Sequence, residues 1–303
     1  MCGFVGFFSS DVPLPPRFQR EEPWLGLVRH RGPDAQRSFT EPGAAIHFCR
    51  LSILDLSPAG MQPMVSSSGR YVLAANGEIV NYRNLARRFQ LRLRGRSDTE
   101  VLLEAAERLG EEVGRELRGM FSFILYDRRD RSVLALRDPF GIKPLYYAQE
   151  NGTLILSSEI RPVLRALGRA ELDGEQVFRF LRRGEIDDGE RTFFQGVRQL
   201  PPGHRLRWDG SSLRIDPYRS DALSPPAADE EADPSRYHAL LLRVVGEYLQ
   251  SDVPVGVSLS GGFDSSLLAH LVRANRPAPA ALHMFTRGYL DYEGNEMEAA
   301  RAV

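Results

Sequence analysis

Cys2 stands directly in front of an apolar run, Gly3-Phe4-Val5-Gly6-Phe7-Phe8, which carries two glycines and no charge. Such a run reads as a buried strand over which other backbone passes closely. The rest of the chain must be organised around these first residues. Once Met1 is removed, Cys2 carries a thiol and a free α-amine on one residue. That joins a nucleophile to a built-in general base, and no histidine is required. The ordinary α-amine pKa of ~7.7–8.0 leaves part of it free to take a proton near neutral pH. The plainer alternative is an ordinary cysteine at a frayed terminus.

A length of 303 residues is enough for about two domains. A hydrophobic content of 42% and a charged content of 26% are ordinary for a globular protein, so neither class of disorder nor fibre is indicated. The formal net charge of −1 gives no reason to expect nucleic acid or an anionic membrane as a partner. No apolar run approaches the roughly 18 residues of a spanning helix. The N-terminus lacks a basic segment and is followed by Asp11 and several prolines, so it is not read as a signal peptide. Two cysteines, Cys2 and Cys49, make no disulfide framework, and a cytoplasmic location is expected. Lys143 is the single lysine among 39 basic residues. A position that stays lysine where every other is arginine points to a steric need for a compact ammonium.

Along the chain, strands are predicted over residues 2–8, 44–50, 71–75, 120–126, 133–137, 145–148, 153–156, 193–200 and 204–208. Glu22 to His30 predicts a short helix with Pro23 in its first turn. Ser97-Asp98-Thr99-Glu100 has the capping-box form and opens another helix. Ser158 to Leu167 and Asp173 to Arg183 also predict helices. Asn76-Gly77 is a turn signal that ends the strand before it. Strands with few helices between them, after helices earlier, indicate layered α and β elements rather than a doubly wound sheet. Ser220 to Ser235 is rich in Pro, Ala, Asp and Glu and reads as a linker. Tyr237 to Tyr248 repeats apolar residues at helical spacing. A strand within 253–259, a Gly-rich loop, a helix over 264–273 and a strand over 280–286 then form a βαβ unit.

Several motifs follow Cys2 in order. They are His30-Arg31-Gly32-Pro33-Asp34, Arg50-Leu51-Ser52-Ile53, Asn76-Gly77-Glu78-Ile79 and Ser97-Asp98-Thr99-Glu100. This first part resembles a class II glutamine amidotransferase domain, whose nucleophile is an N-terminal cysteine. With Arg137 to Tyr147, which contains Phe140-Gly141-Ile142-Lys143-Pro144, and the later Ser260-Gly261-Gly262-Phe263-Asp264-Ser265, the chain resembles the glutamine-hydrolysing asparagine synthetase family. The resemblance implies an α+β four-layer αββα sandwich over residues 2–210 and a linker over 211–235. It implies the first part of an α/β nucleotide-binding domain over 236–303, incomplete at its C-terminus because the chain stops inside that domain's next helix.

The resemblance also implies roles. Cys2 is the nucleophile and base. The Asn76 side-chain amide and the Gly77 N–H are the oxyanion donors, each such donor being typically worth ~2.7–4 kcal/mol. Arg50 takes the glutamine α-carboxylate as a bidentate fork. Leu51 and Ile53 line the glutamine site, and Asp98 with Glu78 holds the α-ammonium. The plainer readings are a hairpin turn for Asn76-Gly77, a surface charge for Arg50 and a helix-dipole partner for Asp98. His30 and Arg31 order the loop near Cys2, and Cys49 is a buried strand residue.

In the second part, consecutive N–H groups between a strand and a helix form an anion nest. The loop lacks the Gly-Lys end of a Walker A motif, so γ-phosphate transfer is not indicated. It resembles the pyrophosphate loop of ATP pyrophosphatases, with Leu259, Ser260, Gly261, Gly262, Asp264 and Ser265 around ATP. Phe263 replaces a usual leucine, a change the loop accommodates if that side chain faces the core. ATP, Mg²⁺, glutamine and aspartate are the implied small molecules. No residue is assigned to the metal, and a homodimer is one assembly left open.

Overall fold

The computed structural model describes residues 1–9, 13–186, 189–219, 233–276, 282–289 and 294–303. Contacts divide the chain into two compact units, Met1–Ser224 and Pro225–Val303.

Among its described residues the first unit holds twelve strands: β1 Gly3–Ser9, β2 Ala35–Glu41, β3 Ala44–Arg50, β4 Met64–Val65, β5 Tyr71–Ile79, β6 Gly119–Asp127, β7 Ser132–Arg137, β8 Tyr146–Glu150, β9 Thr153–Ser157, β10 Arg198–Gln199, β11 His204–Trp208 and β12 Leu213–Pro217. Its helices are α1 Pro16–Gln19, α2 Glu22–Val28, α3 Tyr82–Arg88, α4 Asp98–Leu109, α5 Val113–Glu116, α6 Ile160–Leu167 and α7 Gly174–Arg183. The strands form two six-stranded sheets, ordered β10-β8-β9-β1-β3-β2 and β12-β11-β7-β6-β5-β4. The strand that begins after Cys2 is thus central, antiparallel to β3 on one side and β9 on the other.

Period-two alternation builds the layers. Phe4 and Phe8 of β1 face Ile124 and Tyr126 of the second sheet in a shared core with Ile46, Val72, Ala135 and Trp208. Val5 and Phe7 face the other way, onto Trp24 of α2 and Val163 of α6. On the far side, Leu73, Phe121 and Phe123 pack on Leu85 of α3 and Val101, Leu102 and Ala105 of α4. The order is therefore helix, sheet, sheet, helix. The two glycines of β1 do what their spacing suggested. A Cβ on Gly6 would lie 2.7 Å from Ile124 of the facing sheet, and one on Gly3 would lie 2.8 Å from the Val28 carbonyl.

The structure differs from the sequence reading at several places. β5 does not stop at Ala75; it runs through Asn76 and Gly77, which pair with Ser122 and Phe121 of β6. The predicted strand over 193–200 is only β10, since Phe194 makes an isolated bridge to Leu172 instead. β12, inside the stretch read as linker, closes the second sheet against β11 through its own register. Tyr218 after it is 2% exposed and donates to the Arg137 carbonyl at 3.0 Å. Most of the rest of that stretch, 220–232, lies outside the described residues. The capping box is half formed. Ser97 Oγ accepts from the Glu100 N–H at 3.1 Å, but the Glu100 carboxylate turns to the N–H groups of Arg94 and Gly95 at 2.8 and 2.7 Å.

The second unit holds α8 Pro234–Tyr248, β13 Gly256–Ser258, α9 Phe263–Ala274, β14 His283–Phe285 and α10 Met297–Ala302. β13 and β14 are parallel, and Val257, Leu259, Ala269, Val272 and Ala300 form its core. Among the described residues no helix is long and apolar enough to cross a membrane.

Candidate active site

Asn76 and Gly77 sit inside a paired strand, not in a turn. Gly77 has φ +153°, and a Cβ there would lie 2.1 Å from the Met120 carbonyl of β6. Glycine is therefore required for β5 to stay in register. The side chain of Asn76 is fully buried, and both its Nδ2 and Oδ1 lack a hydrogen-bond partner. A buried unsatisfied amide costs about 1–3 kcal/mol, so such groups are uncommon away from binding sites.

A cavity of about 310 Å³ opens beside this amide. Its wall includes Cys2, Arg50, Leu51, Ile53, Asn76, Gly77, Glu78 and Asp98, every residue expected around glutamine. Leu51 brackets the thiol: its N–H donates to Cys2 Sγ at 3.4 Å, and Sγ donates to its carbonyl at 3.6 Å. Burial pushes the Cys2 thiol up, the Leu51 N–H, the Met1 α-amine and Arg50 opposing. A thiol held protonated needs a base in each turnover. The backbone of Cys2 is pinned by Arg31, whose Nε donates to the Cys2 carbonyl at 3.1 Å and whose Nη1 pairs with Glu159 at 2.7 Å. His30 is half-exposed and lies 3.4 Å from the same carboxylate. Cys49, buried on β3, is pushed up to about 11 by its burial and donates to the Leu25 carbonyl.

The acidic wall is built from two elements. Asp98, in the first turn of α4, accepts from the Ile79 N–H of β5 at 2.8 Å and from the Thr99 N–H at 2.9 Å. Burial pushes its carboxyl up to about 6, and the neighbouring Glu78 adds to this against the Ile79 bond. Glu78 is also raised by burial, with Lys143 and the chain's amine opposing. A buried carboxylate beside a half-buried one makes a place for a cation.

The Arg50 guanidinium is not an open fork. It donates to the carbonyls of Ser57 at 2.8 Å, Leu54 at 3.2 Å and Asp55, and so holds the 51–60 loop over the pocket. Three of its five donors are engaged, which leaves Nε and one Nη1 hydrogen for a ligand. Residues not expected there also line the cavity: Gly60, Gln62, Thr99, Met120 and Lys143. Gln62 ties the loop to the site, since its Oε1 accepts from the Ala75 N–H at 2.7 Å. Nothing in the sequence around Gln62 signals this, whereas the isolation of Lys143 among arginines was a signal. A larger cleft of about 410 Å³ lies elsewhere, lined by Tyr71, Glu111, Asp127, Arg207 and Arg214; no cysteine lines it.

In the second unit, Ser260, Gly261, Gly262, Asp264 and Ser265 form the turn into α9. Its polar groups satisfy one another. Ser260 Oγ and Ser265 Oγ are 2.9 Å apart, Ser265 Oγ accepts from the Ser260 N–H at 3.2 Å, and Ser266 Oγ donates to the Gly262 carbonyl at 2.8 Å. At Gly262 an added Cβ would meet only Ser260 Oγ, at 3.3 Å, so the backbone there is open. Hydroxyls and an open glycine at the start of a twelve-residue helix suit an anion. Leu259 is 4% exposed with its side chain in the unit's core, and its backbone is bonded to Phe285 and Thr286. It presents no side chain to a ligand. Phe263 is 82% exposed, so the condition that it face the core is not met. Among the described residues no group of three metal-ligating side chains occurs. Asp291, which the resemblance to the asparagine synthetase family puts in an acidic turn before the next helix, lies outside the described residues.

Known proteins match in the same two parts. Residues 1–219 match the family described as glutamine amidotransferase domain, and residues 236–303 match the family described as asparagine synthase. Glutamine-hydrolysing asparagine synthetase 1 of Bacillus subtilis is 32% identical over 311 residues, 99% of this chain and 48% of its own. Amidase chyE of Penicillium rubens is 37% identical over 257 residues, 82% of this chain and 37% of its own. The chain thus spans less than half the length of these relatives. A solved glutamine phosphoribosylpyrophosphate amidotransferase of B. subtilis, complexed with ADP and GMP, shares the fold. Its TM-score is 0.51 at 16% identity, over 94% of this chain and 65% of that one. With 219 residues matched in this way, the chain belongs to the glutamine amidotransferase family.

Proposed function

We propose that this chain is the glutaminase part, with the start of the synthetase part, of a glutamine-dependent asparagine synthetase. The observation that carries the reading is the Asn76 amide, buried and unpartnered in the wall of the cavity that also holds Cys2. After removal of Met1, the Cys2 amine takes the thiol proton and the sulfur bonds to the amide carbon of glutamine. The Asn76 Nδ2–H and Gly77 N–H receive the resulting oxyanion. The carbon–nitrogen bond then breaks, the amine returns the proton to the leaving nitrogen, and ammonia departs. Water cleaves the thioester to give glutamate and free thiol. Asp98 and Glu78 hold the substrate's ammonium, and the free donors of Arg50 meet its carboxylate.

In the second unit, Ser260, Gly262 and Ser265 would hold the phosphates of ATP, with Mg²⁺ as counter-ion. Bound there, the nucleotide would supply an adenylyl group to a carboxylate, most simply aspartate, which ammonia then amidates. The match to proteins named amidases favours one alternative for the acceptor, another carboxylate of the same reaction type. The glutaminase half is the same in both.

The test supplies the full polypeptide with glutamine, ATP, Mg²⁺ and aspartate, and follows glutamate, pyrophosphate and asparagine separately. Glutamate release that is lost in Cys2→Ala is expected. Substantial release from protein shown by mass to retain Met1 would falsify the amine-as-base mechanism. Pyrophosphate released with another carboxylate but not with aspartate would replace the acceptor.

A further inference from the structure

The turn from Arg137 to Pro144 reverses the usual preference for burying apolar side chains. Phe140 is 76% exposed and Ile142 is 52% exposed, while Lys143 between Ile142 and Pro144 is 6% exposed. Two buried ions enforce this. The Asp138 carboxylate accepts from the N–H groups of Phe140 and Ile142 at 3.0 Å, Lys143 at 2.9 Å and Phe121 at 3.3 Å. Arg137 donates to the carbonyls of Lys143 at 2.9 Å, Gly141 at 2.8 Å and Leu200 at 2.8 Å. Lys143 therefore has its own N–H and its own carbonyl both clamped, and its side chain lines the Cys2 cavity with Glu78 and Met120. Burying a charge is costly unless something answers it. A connection between two strands needs none of this.

We propose that Lys143 is a positioning residue of the glutamine pocket: its ammonium, sharing the cavity wall with Glu78 and Cys2, supplies the fixed positive charge that orients the Glu78 carboxylate and opposes protonation of the nucleophile's amine. The inference rests on the glutaminase reading. The electrostatics agree with the geometry. Burial lowers the Lys143 ammonium from its ordinary range, and Glu78 is the chief group holding it up. The α-amine of Met1, one residue before the nucleophile, is lowered by burial, with Lys143 and Arg31 adding to that and Cys2 and Glu78 opposing. The charged side chains lining the pocket are thus Arg50 of β3, Glu78 of β5, Asp98 of α4 and Lys143 of the turn, with Arg31 bonded to the Cys2 carbonyl beside it. A guanidinium is larger and planar, which accounts for lysine surviving here in a chain of arginines.

The test is the pH profile of glutamate release by the full polypeptide for wild type, Lys143→Met, Lys143→Arg and Glu78→Gln. In Lys143→Met the acid limb of kcat should move to higher pH by about one unit, because a cation beside the amine has gone. The KM for glutamine should rise about tenfold as Glu78 loses the nearby positive charge that favours its ionised form. Lys143→Arg keeps the charge and should leave the limb in place while lowering kcat/KM. Glu78→Gln should move the limb the other way, and it reads the same field with the lysine intact should Lys143→Met fail to fold. An unmoved limb and KM in Lys143→Met, with only a lower Tm, would make the lysine structural and overturn the inference. No shift in Glu78→Gln would do the same. A wild-type protein that releases no glutamate overturns the functional reading, and this inference with it.

Discussion

Two glycine-containing sites in this chain treat their polar groups in opposite ways. At Asn76-Gly77 a side-chain amide is sealed inside a paired strand with neither of its polar atoms bonded. At Ser260 to Ser266 the hydroxyls and N–H groups bond to one another at a partly exposed helix start. The first arrangement stores an unmet demand that, on the proposed mechanism, a developing oxyanion would satisfy. The second has its demand met, so a ligand must replace bonds that already exist. Pre-organisation for a short-lived charge and adaptability toward a resident anion are different uses of similar residues.

The sharpest break of that contrast is Cys2→Ala, which should drop glutamate release to background and leave the folded state intact. Asn76→Ala comes next. Losing one oxyanion donor should cost about 10²–10³ in kcat. Because it also removes two unsatisfied buried atoms, its Tm should equal or exceed that of wild type. A large fall in Tm would mean that the amide is bonded after all and that the contrast is false.

Asp98→Asn tests the acidic wall through pH. The folded carboxyl titrates near 6 against an ordinary 3.8, so between those values the native state holds a proton that the unfolded chain has released. Stability from this group is therefore fully present below about 4 and is lost as pH rises to about 6, a fall of roughly 3 kcal/mol. The asparagine variant escapes that loss. Its melting temperature should gain on wild type between pH 4 and pH 7, while its KM for glutamine rises. Parallel melting curves would show that Asp98 is ionised throughout.

Arg50→Lys should raise KM about tenfold and cost about 1–2 kcal/mol, since one ammonium cannot reach the three loop carbonyls now held. The smallest effect belongs to the second site. Ser265→Ala should cost about 1 kcal/mol and slow ATP-dependent pyrophosphate release modestly, because neighbouring hydroxyls can take over. A collapse of that step would mean the serine loop is as finely set as Asn76.

Much of the fold was legible because its signals are local. The uncharged apolar run from Gly3 to Phe8 marked the central strand, and Ser97 marked the start of α4. β2 and β12 were missed because they are partly exposed and rich in Arg, Ser and Asp; pairing with β3 and β11 decides them. Asn76-Gly77 carries two meanings, and the partner strand β6 chooses between them. Among the site residues, the members of short motifs could be read directly. Gln62 and Met120 could not, since they reach the cavity by tertiary packing and their neighbours say nothing of it. The orientation of Arg50 depended on a loop whose path no pattern in the sequence fixes.

The position of β1 also sets when the thiol can work. Val5 pairs with His47 on one flank and with Ser157 on the other. The second pairing spans half the chain and carries the larger loop-closure cost. Leu51, which brackets Cys2, arrives with the near flank; Glu159, which holds Arg31 onto the Cys2 carbonyl, arrives only with the far one. The surroundings of Cys2 are thus drawn from both flanks of β1. On the proposed function, glutamate release would therefore report that the sheet has closed on both sides of that strand.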